Sequence, residues 1–239
     1  MTPKTTVIGV DPGGNGTTGL VVCRDWGVIG KTWWRGRFPA YPASIEAYSV
    51  KGWSEAISQF RYLYLKAAMP IKESAIACED VAVWQTSSET LISTIQQIGG
   101  FRAVAAHVVR PFARILPVTY RSWWLGARAK NADGAIDQAL LVAYGGKDVA
   151  VGGVKCKGCG GKGYTGRALK PSEYHDPSSL PKTLIPVGDK WYLRCVHCEG
   201  SKESARGFLY PLWKPKSLQH CRAALAVAVY AYNNNVWKE

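Results

Sequence analysis

The sequence predicts an α/β fold in which helices flank a mixed β-sheet, with a small module inserted before the last helix. Three observations lead to this prediction. The chain opens with short apolar runs separated by glycine-rich turns, strand-like and helical segments then alternate, and residues 150–206 are rich in Gly, Lys, Pro, Ser and Cys. We therefore predict a core over 1–149 and 208–239 and an insertion over 150–207.

The hydrophobic periodicity predicts the elements in chain order. Residues 5–10, about 18–24 and about 28–34 have the pattern of three short strands of a β-meander. Downstream, the spacing predicts a helix over 52–68, a strand over 74–81, a helix over 87–108, a strand over 115–118, two shorter helices around 119–126 and 132–144, and a final apolar helix over 217–235. The alternation of strands and helices after the meander makes the predicted sheet a mixed one.

Charge and composition limit the classes of function. The 239 residues are 47% hydrophobic and 20% charged, which is typical of a globular protein, and the formal net charge is +13. Such a charge favours a polyanionic partner, with nucleic acid ahead of an anionic membrane surface, and a merely basic soluble protein is the alternative. No apolar run approaches the ~20 residues of a membrane span and no secretory signal is recognisable, so we expect an intracellular protein.

Four of the seven cysteines form two CxxC pairs, Cys156 with Cys159 and Cys195 with Cys198. Each pair places two thiolates on a tight turn, and two such turns complete the tetrahedral four-thiolate site of a structural Zn²⁺ ion. A redox dithiol or disulfides are the alternatives for the same residues. Zinc explains better how a polar, glycine-rich insertion with little core of its own holds a shape.

Two acidic residues stand where predicted strands end, Asp11 in VIGVDPGGNGTTGLVV and Glu79 in IACEDV. Taken alone, Asp11 fits a phosphate-binding glycine loop, a metal site or the cap of its own turn. His220 opens the last helix, and position 223 lies on the same helix face. Two metal ions on such a cluster would activate a water molecule and stabilise the leaving oxygen in phosphodiester cleavage.

Four segments in this order, VIGVDPGGNGTTGLVV, IACEDV, QQIGGFRAVAAHV and HCRAALAVAVYAYN, resemble the sequence blocks of the RuvC family of Holliday junction resolvases. The resemblance covers about 1–145 and 208–239, and the insertion is not part of it. It implies an RNase H-like fold, a homodimer, and Mg²⁺- or Mn²⁺-dependent cutting of four-way DNA junctions in recombination and repair. It also suits a bacterial or phage protein that acts in the cytoplasm.

The resemblance assigns roles to four positions. Asp11 matches the first metal-binding aspartate of the family, and Glu79 matches the glutamate on the central strand. His220 falls where the family has an aspartate or a histidine, and the resemblance makes it a ligand of Mg²⁺ or, alternatively, the group that manages the proton of the attacking water. The aspartate expected three residues later is Ala223 here. One of the two metal ions thereby loses an anionic ligand. We expect that the natural chain has an aspartate at this position and that this chain is an inactivated variant. A natural junction binder that does not cut is the competing explanation.

The same resemblance indicates where DNA is contacted. The loop GARAKNAD places Arg128 and Lys130 where the family has DNA-facing basic residues. Trp84 lies two residues beyond the position of an aromatic wedge, and Lys216 directly precedes the last helix region. A packing role for Trp84 and a solvated surface position for Lys216 are the alternatives.

The expected function is a structure-selective DNA endonuclease that resolves four-way or related branched DNA by two-metal hydrolysis and carries one structural Zn²⁺. A zinc-containing branched-DNA-binding protein without nuclease activity is the first alternative. An actin-like or sugar-kinase-like ATPase is the second, since its phosphate loop also opens with two strands around a DxG turn. Such an ATPase requires a duplicated second domain, whereas this sequence has one such opening block.

Overall fold

The computed structural model describes residues 6–13, 16–28, 39–66, 73–81, 88–126, 133–153, 158–160, 162, 164–169, 184–188, 190–196, 207–213 and 218–237. The chain divides into two compact units. Met1–Gly145 and Pro211–Glu239 form the first, and Gly146–Tyr210 forms the second. The roles predicted for them, a nuclease core and a zinc ribbon, stay predictions.

The elements follow one another along the chain as β1 (Thr6–Pro12), β2 (Thr17–Val28), β3 (Ala40–Lys51), α1 (Trp53–Lys66), β4 (Ser74–Glu79), α2 (Ser88–His107), β5 (Phe112–Ile115), α3 (Pro117–Leu125), α4 (Asp133–Ala143), α5 (Lys147–Ala150), β6 (Tyr164–Leu169), β7 (Leu184–Val187), β8 (Lys190–Arg194), α6 (Tyr210–Trp213) and α7 (Gln219–Asn234).

The first unit is built on a five-stranded sheet with the order β3-β2-β1-β4-β5. The first three strands form an antiparallel meander, whereas β4 and β5 continue the sheet in parallel with β1. Parallel neighbours require crossover connections, which α1 and α2 supply. This topology confirms the predicted RNase H-like mixed sheet flanked by helices.

Two strands differ from the sequence prediction. The third strand of the sheet is Ala40–Lys51, which the sequence did not predict, and nearly all of the strand predicted over about 28–34 lies outside the described residues. The Ala40–Lys51 sequence, AYPASIEAYSVK, contains a proline, three alanines and a glutamate, which are residue types depleted in strands, so it does not stand out as one. The fifth strand, Phe112–Ile115, shares only Ile115 with the predicted 115–118, because Pro117 cannot donate to a ladder and instead opens α3.

The two faces of the sheet bury different partners. On one face, strand residues such as Ile8, Leu20 and Ile76 form a core with α1 and α2, in which Phe60 and Phe101 meet edge to face at 5.2 Å. On the other face, α7 presents alanines at a four-residue spacing to β1. A Cβ atom on Gly9 would lie 2.1 Å from the carbonyl oxygen of Ala224. Only a glycine permits the helix to approach β1 this closely.

The second unit contains a small antiparallel sheet with the order β6-β8-β7. The sequence shows no long amphipathic run here, which agrees with strands of only four to six residues. Among the residues that the structure describes, no helix has the length and apolar character needed to cross a membrane.

The close approach of α7 makes a testable prediction. Replacement Gly9→Ala places a methyl group against helix backbone that cannot rotate away, so it lowers the free energy of unfolding by about 2 kcal/mol or more. The matched control is Gly27→Ala in β2, where nothing lies within 4 Å of the new Cβ and the change stays within about 0.5 kcal/mol. Urea unfolding of both variants measures the difference. Equal midpoints would contradict the packing.

Candidate active site

Strand pairing brings Asp11 and Glu79 together. β1 and β4 are parallel, and Val10 is the partner of Cys78, so the two acids occupy the next position on each strand. Residues at matched positions of parallel neighbours point to the same face. Asp11 is 8% exposed and Glu79 is 9% exposed. Two carboxylates therefore lie side by side at the sheet edge, largely removed from water.

The first turn of α7 adds His220 to this pair. Its Nδ1 atom lies 2.8 Å from Oδ2 of Asp11. Two glycines make room for the turn: a Cβ atom on Gly19 would lie 2.2 Å from the His220 carbonyl carbon, and one on Gly13 would lie 2.6 Å from the His220 Cε1 atom. These glycines serve the approach of a helix that carries an imidazole, which is a different role from cradling a phosphate.

The three side chains line a cleft of about 370 Å³. Ala223, one helical turn after His220, lines the same cleft. The described parts of α2, α3 and α4 complete its wall with residues that include Thr94, Tyr120, Arg121 and Asp137. All four residues predicted to be catalytic, with Ala223 in place of the expected aspartate, thus face one cavity.

Glu79 is held by a tyrosine and an arginine of α3. The Tyr120 hydroxyl donates to Oε1 of Glu79 at 3.2 Å, and Arg121 Nη2 lies 3.8 Å from the same oxygen. Burial raises the pKa of Glu79 well above its usual value, and the negative charge of Asp11 raises it further, whereas Arg121 and the Tyr120 hydrogen bond oppose the rise. Glu79 thus faces more negative charge and less water than a surface glutamate.

This donor set fits a divalent cation of the Mg²⁺ type. Hard carboxylate oxygens are the protein ligands that Mg²⁺ prefers, and a cation between Asp11 and Glu79 would offset the repulsion of two buried carboxylates. The described residues nevertheless contain no group of three or more His, Cys, Asp and Glu side chains placed around one ion position. Ala223, which lines the same cleft, supplies no ligand atom from its side chain.

A partly buried ion pair fixes α7 next to the cleft. Arg222 Nε donates to both carboxylate oxygens of Asp137 in α4 at 2.9 Å, and its Nη1 donates to the Leu212 carbonyl oxygen at 3.2 Å. The guanidinium also lies 5.1 Å from the centre of the Trp213 ring. One side chain thereby joins α4, α6 and α7 directly beside Ala223.

Several predicted residues lie outside the described part of the chain, namely Trp84, Arg128, Lys130, Lys216, Cys156 and Cys198. Of the predicted zinc ligands, Cys159 packs against buried Cys195 in the second unit. The sequence analysis missed Tyr120, Arg121 and Asp137, which line the cleft. Arg121 lies within the helix predicted around 119–126 and Asp137 within the helix predicted around 132–144, but no motif or spacing in the sequence marks them as cleft residues.

Two solved structures resemble this one. The structure of Thermus thermophilus RuvC aligns with 96% of this chain over 95% of its own, at 16% identity and a TM-score of 0.49. The structure of T. thermophilus RuvC in complex with Holliday junction substrate aligns with 97% of this chain over 95% of its own, at 14% identity and a TM-score of 0.44. No protein-family model and no curated protein sequence matches the chain.

The Arg222 ion pair generates a prediction about stability. Arg222→Met leaves the Asp137 carboxylate and the Leu212 carbonyl without this donor, so it lowers the free energy of unfolding by about 1–3 kcal/mol. Arg24→Met is the matched control, because the more exposed Arg24–Glu46 pair contributes about 0–1 kcal/mol. Chemical denaturation of the two variants compares them. A larger loss from the control would show that Arg222 does not anchor α7.

Proposed function

We propose that this chain has the fold and active site of a metal-dependent endonuclease that cuts branched DNA, with four-way junctions as its main substrate. The observation that carries the proposal is the convergence of Asp11, Glu79 and His220 in one cleft. The acids come from adjacent parallel strands and the imidazole from a separate helix, so the fold itself assembles the cluster. If Asp11 only capped its own turn, the fold would not need to bring Glu79 and His220 next to it.

The charge of the molecule favours a phosphodiester substrate. The net charge of +13 attracts DNA, while the acids are concentrated where a cation is needed. Arg121 lines the wall of the cleft that contains Glu79, within reach of a phosphate oxygen in that cavity. We also propose that two copies act together, because resolution of a four-way junction needs two opposed cuts.

In this mechanism Asp11 and Glu79 would hold a Mg²⁺ ion, which would supply Lewis-acid activation of the phosphate and of the attacking water. Asp11 orients the His220 imidazole through Nδ1, so that proton exchange with solvent or substrate takes place at Nε2. Tyr120 restrains the Glu79 carboxylate through its hydroxyl hydrogen bond. Arg121 binds the phosphate against the cleft wall and neutralises part of the charge that develops there.

Ala223 determines how active this chain is. It lines the cleft one turn after His220, where an aspartate would add the carboxylate that a second ion requires. We propose that the methyl group replaces such an aspartate and that this chain binds branched DNA but cuts it slowly or not at all. A natural protein that binds branched DNA without cutting it is the second candidate, and Ala223 is the observation that favours it.

Replacement Ala223→Asp tests the proposal. The restored carboxylate increases Mg²⁺-dependent cleavage of a fluorescent four-way junction at least about 100-fold, because a metal-bound charge stabilises the transition state by several kcal/mol. Glu79→Gln in the same background removes the activity. Paired duplex, fork and junction substrates measure selectivity.

Two outcomes would contradict the proposal. Tight junction binding without cleavage by the Ala223→Asp variant would favour the natural binder. ATP hydrolysis without DNA cleavage would instead favour the kinase-like alternative that the glycine-rich turn suggests.

We also propose that Cys156, Cys159, Cys195 and Cys198 hold one structural Zn²⁺ in the second unit. The packing of Cys159 against Cys195 supports this, since one cysteine comes from each CxxC pair. Elemental analysis of the purified chain is expected to give one zinc per molecule, and Cys195→Ser loses it. Cys23→Ala, a change at a buried cysteine of the first unit, retains it. Stoichiometric zinc in the Cys195→Ser variant would contradict the assignment.

A further inference from the structure

The small sheet of the second unit has one face that carries aromatic and basic side chains. Alternation along β8 places Lys190, Tyr192 and Arg194 on the same face. Directly paired residues of antiparallel strands share a face. The partners of these three residues therefore complete what we call the aromatic face, with Tyr164 opposite Arg194, Ile185 opposite Tyr192 and Val187 opposite Lys190.

This face is accessible to solvent. Val187, Lys190 and Arg194 are exposed, and Tyr164, Ile185 and Tyr192 are half-buried. The rings of Tyr164 and Tyr192 lie next to each other with their centres 4.2 Å apart and their planes tilted by 37°. A tyrosine pair on two paired strands presents aromatic surface on which a further planar ring can stack.

The charge on the aromatic face favours an anionic ligand. Lys190 and Arg194 are exposed and flank Tyr192, each about 7 Å away along the strand. The described residues of this face include no Asp or Glu. The segment 146–210 contains eleven Lys and Arg against six Asp and Glu. A chain of phosphates that runs along β8 therefore meets a cation on each side of the rings.

The combination of stacking rings with flanking cations identifies the ligand class. Acidic peptides satisfy the cations but offer no flat ring to stack on tyrosine. Duplex DNA satisfies the cations too, but its bases are stacked on each other and their faces are unavailable. Unpaired nucleotides offer both phosphates and free base faces, and aromatic side chains bind them with little sequence preference.

We propose that the aromatic face of β6, β7 and β8 binds single-stranded DNA through base stacking on Tyr164 and Tyr192. Lys190 and Arg194 contact the phosphates on either side. This binding is separate from the cleavage proposed above and requires neither the cleft nor a divalent ion. It gives the second unit a ligand of its own, the unpaired nucleotides that occur where branched DNA opens.

Equilibrium binding of the full chain to a labelled oligothymidylate of about 12 nucleotides, in the absence of divalent ions, tests this proposal. Tyr192→Leu is expected to lower the affinity about tenfold and Tyr192→Trp to preserve it, because tryptophan keeps the stacking surface. Affinity for a fully paired duplex changes less than about twofold in both variants. Trp53→Leu, which removes an exposed aromatic ring from the first unit, is the matched control and leaves both affinities unchanged.

A second pair of variants keeps the test decisive if Tyr192→Leu fails to fold. Lys190→Gln and Arg194→Gln leave the rings in place, and each reduces the salt dependence of oligothymidylate binding by about 0.7 in log–log slope. Unchanged binding in these variants would overturn the proposal, as would equal losses for duplex and single strand. Competition by polyglutamate as effective as by oligothymidylate would assign the face to an acidic peptide. A change in oligomeric state that Tyr192→Leu causes, without loss of affinity, would assign it to self-association.

Discussion

The contact between α7 and the glycines of β1 and β2 is the constraint on which the site depends. Gly9 and Gly19 allow the helix backbone to lie directly on the strands, at distances where any Cβ atom would collide with it. Sheet and helix then act as one rigid body, since a packed interior does not deform continuously. Because His220 is on the first turn of that helix, the same contact sets its 2.8 Å distance to Asp11. The geometry of the cleft thus depends on glycine, which has no side chain, at positions 9 and 19.

The second constraint is electrostatic. Parallel pairing places Asp11 beside Glu79 in a region that excludes most water, which disfavours two negative charges there. Tyr120 and Arg121, which both lie on α3, offset part of the repulsion between the two carboxylates. A cation bound between them would offset the rest. An arrangement that costs stability in the isolated chain is typical of a functional site, where surrounding structure enforces it. The buried Tyr120 hydroxyl is a neutral hydrogen-bond donor to Glu79. The partly exposed Arg121 is a cation near the same carboxylate and also lines the cleft.

The sequence predicted the elements that arise from local residue preferences or from periodic patterns of apolar residues. Apolar runs predicted β1 and β4, and the acids at their ends, Asp11 and Glu79, were predicted as site residues together with His220, whereas the parallel pairing that sets the two acids side by side is seen only in the structure. The β3 segment has no comparable apolar run, because it contains a proline, three alanines and a glutamate, and Pro117 ends β5 early by opening α3. Arg121 and Asp137 escaped detection because their importance comes from which helices pack around the cleft, and no spacing along the chain encodes that. The aromatic face likewise appears only when three short strands are paired in register.

The proposed metal site lies between Asp11 and Glu79 at the ends of β1 and β4. Crystals of the chain soaked in Mn²⁺ and measured near the manganese absorption edge test it most directly, because anomalous scattering locates the ion independently of activity. The account predicts an anomalous peak between the two carboxylates, with a second peak in the Ala223→Asp variant. An empty cleft at saturating Mn²⁺ in both chains, with His220 still bonded to Asp11, would contradict it.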